Sequence, residues 1–268
     1  MTFNEAYSCA FNELIRQGKQ TSPRGEKVRE LTPYVLVLSN PRDRLLSFKE
    51  MRNIKRYCYG EALWYLSGSN SLDFISKYSS FWRHISDDGV TCNSAYGKYI
   101  FSDTYDYAGE KVSQWDWCKC LLRIDKDTRQ AVIHIKPIQI CNTKDTVCTL
   151  MMHFMIRNNR LNLIVNMRSN DIFKGLTFDV FQFTLLQELM AAELGVELGT
   201  YTHIDNNLHV YENDIPKIRQ MLDSGTVEPE LLPLIPKDFR RGDLMYLLAD
   251  NCHESLSEFS KEFWKYGH

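Results

Sequence analysis

The chain has 268 residues, of which 44% are hydrophobic and 25% are charged, and its formal net charge is −2. This length is sufficient for a single large domain with a substantial core, and we predict one domain over residues 1–268. The small net charge argues against general affinity for nucleic acids or other polyanions, so a phosphate site would need a few locally placed arginines.

None of the eight cysteines is spaced as CxxC, and the N-terminus does not pair a basic segment with a long apolar run. No apolar stretch reaches the length of a membrane span. We therefore expect a cytoplasmic protein with free thiols, no bound metal and no membrane partner. Taken singly, each cysteine is typical of a small buried hydrophobic residue.

In chain order, residues 3–17 are predicted to form an amphipathic helix, followed by a polar loop over 21–30. Arg24 beside Gly25 in this loop is either solvated or part of a mobile segment that closes over an anion. Residues 34–38 are predicted to be a short buried strand.

A helix is predicted over 53–68, ending at a glycine, with Glu61 inside its apolar part. A carboxylate in that position needs either a salt-bridge partner or a functional role. Further helices are predicted over 71–82 and 112–124, and the Tyr96-Gly97 pair between them indicates a close backbone approach.

The central stretch predicts a strand over 131–138 and then a hairpin. The hairpin has strands over 150–156 and 161–167, and Asn158-Asn159 suits a two-residue turn because Asn tolerates positive φ.

This hairpin would place Cys148, at the start of its first strand, beside Arg168 and Ser169 at the end of its second. A guanidinium next to a thiol should favour the nucleophilic thiolate.

Asp179 stands at the head of a helix predicted over 180–194, which is apolar nearly all round and stops at Gly195. Taken alone, Asp179 can be read as a helix cap. A strand over 201–210 and a short helix over 216–224 are predicted next.

Several familiar motifs are absent: GxxxxGK[ST], GxGxxG, GxSxG and HExxH. Their absence argues against a P-loop NTPase, a dinucleotide-binding oxidoreductase, an α/β-hydrolase and a zinc protease of the HExxH type.

Five segments occur in an order that resembles the thymidylate synthase family: EALWYLSG, NSAYGKYIF, the central Cys148, MRSNDIFKGLTFD and LHVY. Within the family they look most like the deoxycytidylate 5-hydroxymethylases. The resemblance implies an α+β fold in which a large mixed twisted β-sheet packs with helices. It also implies a homodimer formed through one sheet face, with shared active sites.

The resemblance implies a role for each matching residue. Cys148 would attack carbon 6 of the pyrimidine, and Glu61 would organise water and proton transfer. Expected substrate-binding residues are Arg24, Arg129 from the second subunit, Arg168, Ser169, Asp179, His209, Tyr211 and Tyr96. The expected site of the co-substrate 5,10-methylenetetrahydrofolate contains Trp82, Asp171 and Gly175.

Three positions depart from the usual family pattern. Asp179 ends GLTFD where GLPFN is usual, Thr149 replaces a histidine after the nucleophile, and Arg129-Gln130 replaces two arginines. The last change leaves one phosphate contact open.

The first departure favours a cytosine base. Cytosine presents an amino donor and a bare ring nitrogen, and a carboxylate accepts from the first and favours protonation of the second. An ionised carboxylate facing the uracil oxygen would be repelled.

The implied reaction uses covalent catalysis, in which Cys148 adds to carbon 6, carbon 5 accepts the one-carbon unit, and water completes a hydroxymethyl group. We predict conversion of dCMP to 5-hydroxymethyl-dCMP. Three alternatives stay open: the same reaction on CMP, an atypical thymidylate synthase acting on dUMP, and a non-catalytic nucleotide-binding relative.

Overall fold

The computed structural model describes residues 1–51, 54–135, 143–229, 232–236, 239, 241–242 and 257–267. Its helices are α1 (Phe3–Gln17), α2 (Ile54–Ser67), α3 (Leu72–Ser76), α4 (Phe81–Ile85), α5 (Gln114–Ile124), α6 (Thr177–Leu194), α7 (Ile215–Asp223) and α8 (Glu258–Gly267). Its strands are β1 (Lys19–Thr21), β2 (Val28–Leu31), β3 (Tyr34–Leu38), β4 (Thr104–Tyr107), β5 (Glu110–Ser113), β6 (Val132–His134), β7 (Thr149–Arg157), β8 (Arg160–Met167), β9 (Asn170–Asp171), β10 (Glu197–Asp205) and β11 (Leu208–Tyr211).

The main sheet has the strand order β3-β10-β8-β7-β6, and it is mixed because β10 runs parallel to β8 while the other pairs are antiparallel. A second mixed sheet has the order β1-β2-β11-β9. Helix α6 packs on β8 and β10, and α2 packs on α6. This arrangement confirms the predicted α+β class with mixed sheets and packed helices.

The β7–β8 hairpin forms as predicted. Asn158 and Asn159 have φ values of 52° and 57°, the left-handed conformation that a tight two-residue turn with right-handed strand twist requires. At the open end of the hairpin, the backbone N–H of Arg168 donates to the carbonyl of Cys148 over 2.8 Å. The turn therefore fixes which residues meet at that end.

Helix α6 is buried along most of its length because it is apolar on nearly every side. It begins at Thr177, three residues before the predicted start at 180, and it ends at Gly195, whose φ of 67° needs no Cβ. Asp179 consequently lies inside the first turn of the helix.

The other face of the main sheet has no helix over β3. Val35 and Val37 are 51% and 49% exposed, whereas Leu36 and Leu38 on the same strand are buried. The prediction of a fully buried strand over 34–38 is therefore wrong, because only one face of the sheet is covered.

Other boundaries also differ. The predicted loop over 21–30 contains parts of β1 and β2, the predicted helix over 71–82 is two short helices, and the predicted strand over 201–210 is interrupted at Asn206-Asn207. Helix α5 starts at Gln114 because Ser113 accepts from the backbone of Asp116 as its N-cap. Asn53 and residues 136–138, at the edges of two predicted elements, lie outside the described residues.

Within the described ranges, no helix has both the length and the apolar character needed to cross a membrane.

Candidate active site

Cys148 lies immediately before β7, and its thiol contacts the guanidinium of Arg168. Nη2 of Arg168 is 3.5 Å from Sγ, and the same side chain donates to the carbonyls of Val147 at 2.7 Å and Thr146 at 3.0 Å. The arginine is thus fixed across the segment that carries the cysteine, with three of its donor positions oriented by that segment.

Tyr96 supports the same segment from the other side. Its buried hydroxyl accepts from the backbone N–H groups of Cys148 and Thr149, at 3.3 and 3.2 Å. The close backbone approach predicted at Gly97 is present, since a Cβ there would lie 2.0 Å from the Tyr65 carbonyl oxygen. The small residue lets Tyr96 reach the base of β7.

The thiol of Cys148 is not biased toward thiolate as predicted. Burial raises its pKa, and the carboxylate of Asp179 adds to this effect, whereas Arg168 and Arg24 lower it. The net direction is upward, so the prediction is wrong because desolvation outweighs the adjacent guanidinium.

Glu61 is buried on α2 in a chain of hydrogen bonds. Tyr57 donates to its Oε1 over 2.9 Å and Gln182 donates to its Oε2 over 3.0 Å, while the indole N–H of Trp82 donates to the Tyr57 hydroxyl over 3.1 Å. Burial and the nearby Asp179 raise the pKa of Glu61 to about 8, against the opposing effect of these donors. Glu61 can therefore hold a proton near neutral pH.

Glu188, a second buried carboxylate on α6, provides a contrast. It forms ion pairs with Arg42, at 2.6 Å, and with Arg44. The described partners of Glu61 are neutral, so the salt-bridge reading offered for it in the sequence fits Glu188 instead. Glu61 has the environment of a group that exchanges a proton.

Asp179 occupies the third position of α6, whereas the N-cap position is Leu176. It does not act as the helix cap, although a negative charge is favourable in a first turn. Burial raises its pKa to about 6, with opposing contributions from His203 and Asn170. Asp179 also contributes to the raised pKa values of both Cys148 and Glu61, so the three side chains share one electrostatic environment.

Gly175 lies in the short π-helical turn before α6, where Asn170 packs against its backbone. A Cβ at Gly175 would be 2.1 Å from Oδ1 of Asn170 and 3.3 Å from Oδ2 of Asp179. The space left by the missing side chain therefore brings the Asn170 amide up to the Asp179 carboxyl.

Asp171 begins the same turn and caps its backbone. Its Oδ1 accepts from the N–H groups of Phe173 and Lys174, at 2.8 and 3.1 Å. Its buried Oδ2 lacks a hydrogen-bond partner in the described part of the chain, and Nζ of Lys174 is 3.9 Å away. One carboxylate oxygen is thus available to accept from a ligand.

His209 and Tyr211 project from the same face of β11, as alternate residues of a strand do. Their rings are 5.5 Å apart, and His209 is paired in register with Asp171 on β9. Burial lowers the pKa of His209, despite the neighbouring Asp171 charge, which favours the neutral ring. A neutral imidazole can both donate to and accept from a hydroxyl.

The remaining predicted ligands differ in their placement. Arg24 lies in the turn between β1 and β2 with a left-handed φ of 54°, and its charge reaches the Cys148 thiol. Ser169 follows Arg168 directly, between β8 and β9.

Arg129 is exposed and lies toward the hairpin end of β7, far from Cys148 of the same chain. It comes two residues before Ala131, whose carbonyl accepts from the N–H of Phe154. From Cys148 to Phe154 the extended strand covers about 20 Å. Arg129 therefore does not join the other site residues within one chain.

Sequence reasoning missed five residues of this region: Tyr57, Gln182, Asn170, His203 and Asp205. The spacing of Tyr57, one helical turn before Glu61, was the only available local signal. In the described ranges, His, Cys, Asp and Glu side chains do not form a group of three that could hold a metal ion.

Comparison with known proteins gives consistent matches. The family described as thymidylate synthase matches residues 5–240. A deoxyuridylate hydroxymethyltransferase of Bacillus phage SP01 is 36% identical over 221 residues, covering 78% of this chain and 57% of that protein. A second one, from Pseudomonas phage M6, is 28% identical and covers 74% of this chain and 58% of its own length. The chain thus spans a little over half the length of these two relatives.

Two further matches are to thymidylate synthases. That of Bacillus atrophaeus is 29% identical over 181 residues, covering 66% of this chain and 79% of that protein. The solved structure of the thermostable thymidylate synthase A of Bacillus subtilis superposes with a TM-score of 0.75 at 23% identity, covering 91% of this chain and 94% of that one. The fold is therefore the same, and the match over residues 5–240 places this chain in the thymidylate synthase family.

Proposed function

We propose that this chain is a pyrimidine nucleotide 5-hydroxymethyltransferase that converts dCMP to 5-hydroxymethyl-dCMP with methylenetetrahydrofolate and water. The phage relatives named deoxyuridylate hydroxymethyltransferase support the reaction type. The observation that carries the choice of base is the Asp179 carboxyl, which shares an electrostatic environment with Cys148 and Glu61.

The nucleotide would be held by its phosphate and its sugar. Arg168, Arg24 and Ser169 supply cationic and hydroxyl donors beside the nucleophile, and His209 with Tyr211 supplies polar groups for a sugar hydroxyl. Because Arg168 touches both the thiol and the phosphate region, nucleotide binding and nucleophile orientation would be coupled.

The chemistry would start with a bond between Sγ of Cys148 and carbon 6 of the ring, which makes carbon 5 nucleophilic. Asp179 would stabilise a protonated ring nitrogen and so make carbon 6 more electrophilic. Glu61, with a pKa of about 8, would orient water and move a proton, supported by Tyr57 and Gln182. Release of Cys148 would then complete the reaction.

The residues predicted for the folate site fit such a co-substrate. Oδ2 of Asp171 is a buried acceptor without a hydrogen-bond partner among the described residues, and the Trp82 ring lies next to the network of Glu61. When bound, methylenetetrahydrofolate supplies the one-carbon unit that carbon 5 accepts.

A second candidate is the same reaction on dUMP, favoured by the names of the two phage relatives. The raised pKa of Asp179, about 6, gives this candidate a physical basis. A protonated carboxyl presents one donor and one acceptor, as an amide does, and could pair with the uracil edge. Activity on CMP depends on the sugar pocket, and a thymidylate synthase would also form dihydrofolate.

We further propose a homodimer formed through the uncovered face of the main sheet, on which Val35 and Val37 are about half exposed. This assembly would bring Arg129 of one chain to the active site of the other, since it lies far from its own. The exposed apolar side chains of β3 are a typical feature of such an interface.

The test is mass spectrometry of products from dCMP, CMP and dUMP, each incubated with methylenetetrahydrofolate, together with absorbance detection of dihydrofolate. We expect a hydroxymethylated product from dCMP at the highest kcat/KM and no dihydrofolate. A methylated product with dihydrofolate would make the chain a thymidylate synthase. A faster reaction with dUMP would instead support the second candidate.

A further inference from the structure

Three polar side chains on β10 point into the protein interior next to Asp179. Tyr201, His203 and Asp205 alternate along the strand, share its covered face and are each fully buried. The Tyr201 hydroxyl lies 2.6 Å from Nδ1 of His203, and Oδ1 of Asp205 lies 3.0 Å from Nε2. Both ring nitrogens thus face an oxygen that can accept a hydrogen bond.

This arrangement suits an imidazolium ring. Burial lowers the pKa of His203, but the charge and hydrogen bond of Asp205 together with the charge of Asp179 raise it overall. A buried charge is retained when it is paired and hydrogen-bonded in this way. The Asp205–His203 pair therefore places a positive charge within the core, close to the first turn of α6.

Asn170 connects this pair to Asp179. Its amide group lies 3.1 Å from Nε2 of His203 on one side. On the other side, its remaining amide atom and Oδ2 of Asp179 lie 2.1 and 3.3 Å from one point, the position of the Cβ that Gly175 lacks. Asn170 is only 3% exposed, so it has few other partners to choose from.

Hydrogen-bond complementarity decides which way this amide faces. If its nitrogen faces His203, two donors oppose each other and Oδ1 stays without a partner. The two ends of an amide have nearly the same shape, so a half turn is sterically neutral. With the oxygen toward His203, that oxygen accepts from Nε2–H, and the nitrogen donates toward Asp179.

We propose that the buried Asp205–His203 pair orients the Asn170 amide toward Asp179 and holds Asp179 as the carboxylate that reads the base. His203 and Asn170 are thereby positioning residues that set base specificity. The inference depends on the proposed role of Asp179 in base recognition.

The consequence concerns proton uptake. An ionised Asp179 must acquire one proton, shared with the ring nitrogen, to form two hydrogen bonds with cytosine. Without His203, Asp179 would be protonated at higher pH, and its carboxyl would more readily accept uracil. The other titratable groups that act on Asp179, or on which it acts, are Glu61, Tyr57 and Tyr65 from α2, Tyr96, Cys148, and Tyr201 and Asp205 from β10.

The test is calorimetry of dCMP binding to the full chain, in buffers of different ionisation enthalpy, from pH 5.5 to 8.5. For the wild type, we expect uptake of about one proton above the pKa of Asp179 and little uptake below it. For His203→Gln, the midpoint of this profile should move upward by about one unit, and the dCMP-to-dUMP ratio of kcat/KM should fall about tenfold. Asn170→Ala should move both readouts in the same direction, which provides a second test if His203→Gln does not fold.

Gln187→Leu is the matched control. Gln187 is a buried polar residue on α6 that donates to the carbonyls of Leu161 and Thr200, away from Asp179. It should change thermal stability without moving the uptake profile. A wild-type profile in folded His203→Gln and Asn170→Ala would overturn the inference.

Asp179→Asn separates this inference from the proposed function. Loss of proton uptake in Asp179→Asn, with no shift in His203→Gln, would overturn only the role of His203. Uptake that persists in Asp179→Asn would overturn base reading by Asp179, and the inference with it.

Discussion

The hydroxyl of Tyr57 donates to Oε1 of Glu61 over 2.9 Å, and the two residues stand one turn apart on α2. Trp82 donates in turn to this hydroxyl, so a residue predicted for the folate site is two hydrogen bonds from the predicted proton-transfer group. A change at the folate side can therefore be transmitted to Glu61 without movement of the backbone.

The raised pKa of Glu61 predicts a pH dependence of stability. In the unfolded chain its pKa returns toward 4.5, whereas in the folded protein it is about 8. The stabilisation that comes from a protonated Glu61 is complete below the unfolded value and is lost as pH rises through the folded value. Glu61→Gln should therefore gain thermal stability relative to the wild type as pH increases from 5 to 8.5.

Thermal unfolding midpoints across this pH range provide the measurement. Glu197→Gln, which removes a carboxylate from an exposed ion pair with Arg160, is the matched control and should follow the wild-type profile. A constant difference between Glu61→Gln and the wild type at all pH values would contradict the assignment of a raised pKa.

The Arg168 guanidinium is predicted to increase the reactivity of Cys148, even though burial dominates the thiol pKa. Arg168→Met should raise this pKa further and slow alkylation by iodoacetamide at pH 8 by about tenfold. Mass spectrometry of the peptide that contains Cys148 separates its reaction from that of the exposed Cys9 and Cys120. Arg157→Met, at the other end of β7, should leave the rate unchanged, and equal rates in both variants would refute the prediction.

Asp179→Asn should change the choice of base. The amide cannot stabilise a protonated cytosine ring, so kcat/KM for dCMP should fall by about 3 kcal/mol, or roughly 100-fold, while activity on dUMP rises. Both specificity constants need to be measured for the wild type and the variant, with Asp73→Asn as a control at an exposed carboxylate. If the ratio does not move, the cytosine assignment loses its main physical support.

Mixed dimers test the assembly. An Arg129→Ala chain combined with a Cys148→Ala chain should recover part of the activity, because one hybrid site would contain both native residues. Activity after refolding of the mixture, compared with each variant alone, is the measurement. Verified mixed dimers without any recovery would show that Arg129 does not serve a neighbouring site.

The parts of the fold and site that could be predicted depend on short-range sequence signals. Asn158-Asn159 determines the hairpin, and the hairpin brings Cys148 to Arg168, so this pair could be placed from sequence alone. Tyr57 could have been found from its helical spacing to Glu61.

The placement of His203 and Asp205 could not be predicted. Their alternation assigns them to one face of a strand, but their proximity to Asn170 depends on how β10 lies in the sheet relative to the segment after β8. The sign of the Cys148 pKa shift was also wrong, because the degree of burial is set by the whole fold.

The pairing of Cys148 with Arg168 across the hairpin limits how the length of this chain can change. Inserting one residue within either arm would reverse the facing of every side chain beyond it, and the guanidinium would then project away from the thiol. Additional residues at the Asn158-Asn159 turn would leave the open end of the hairpin in register. Length variation in this region is therefore expected to accumulate at the turn, on the side of the molecule farthest from the nucleophile.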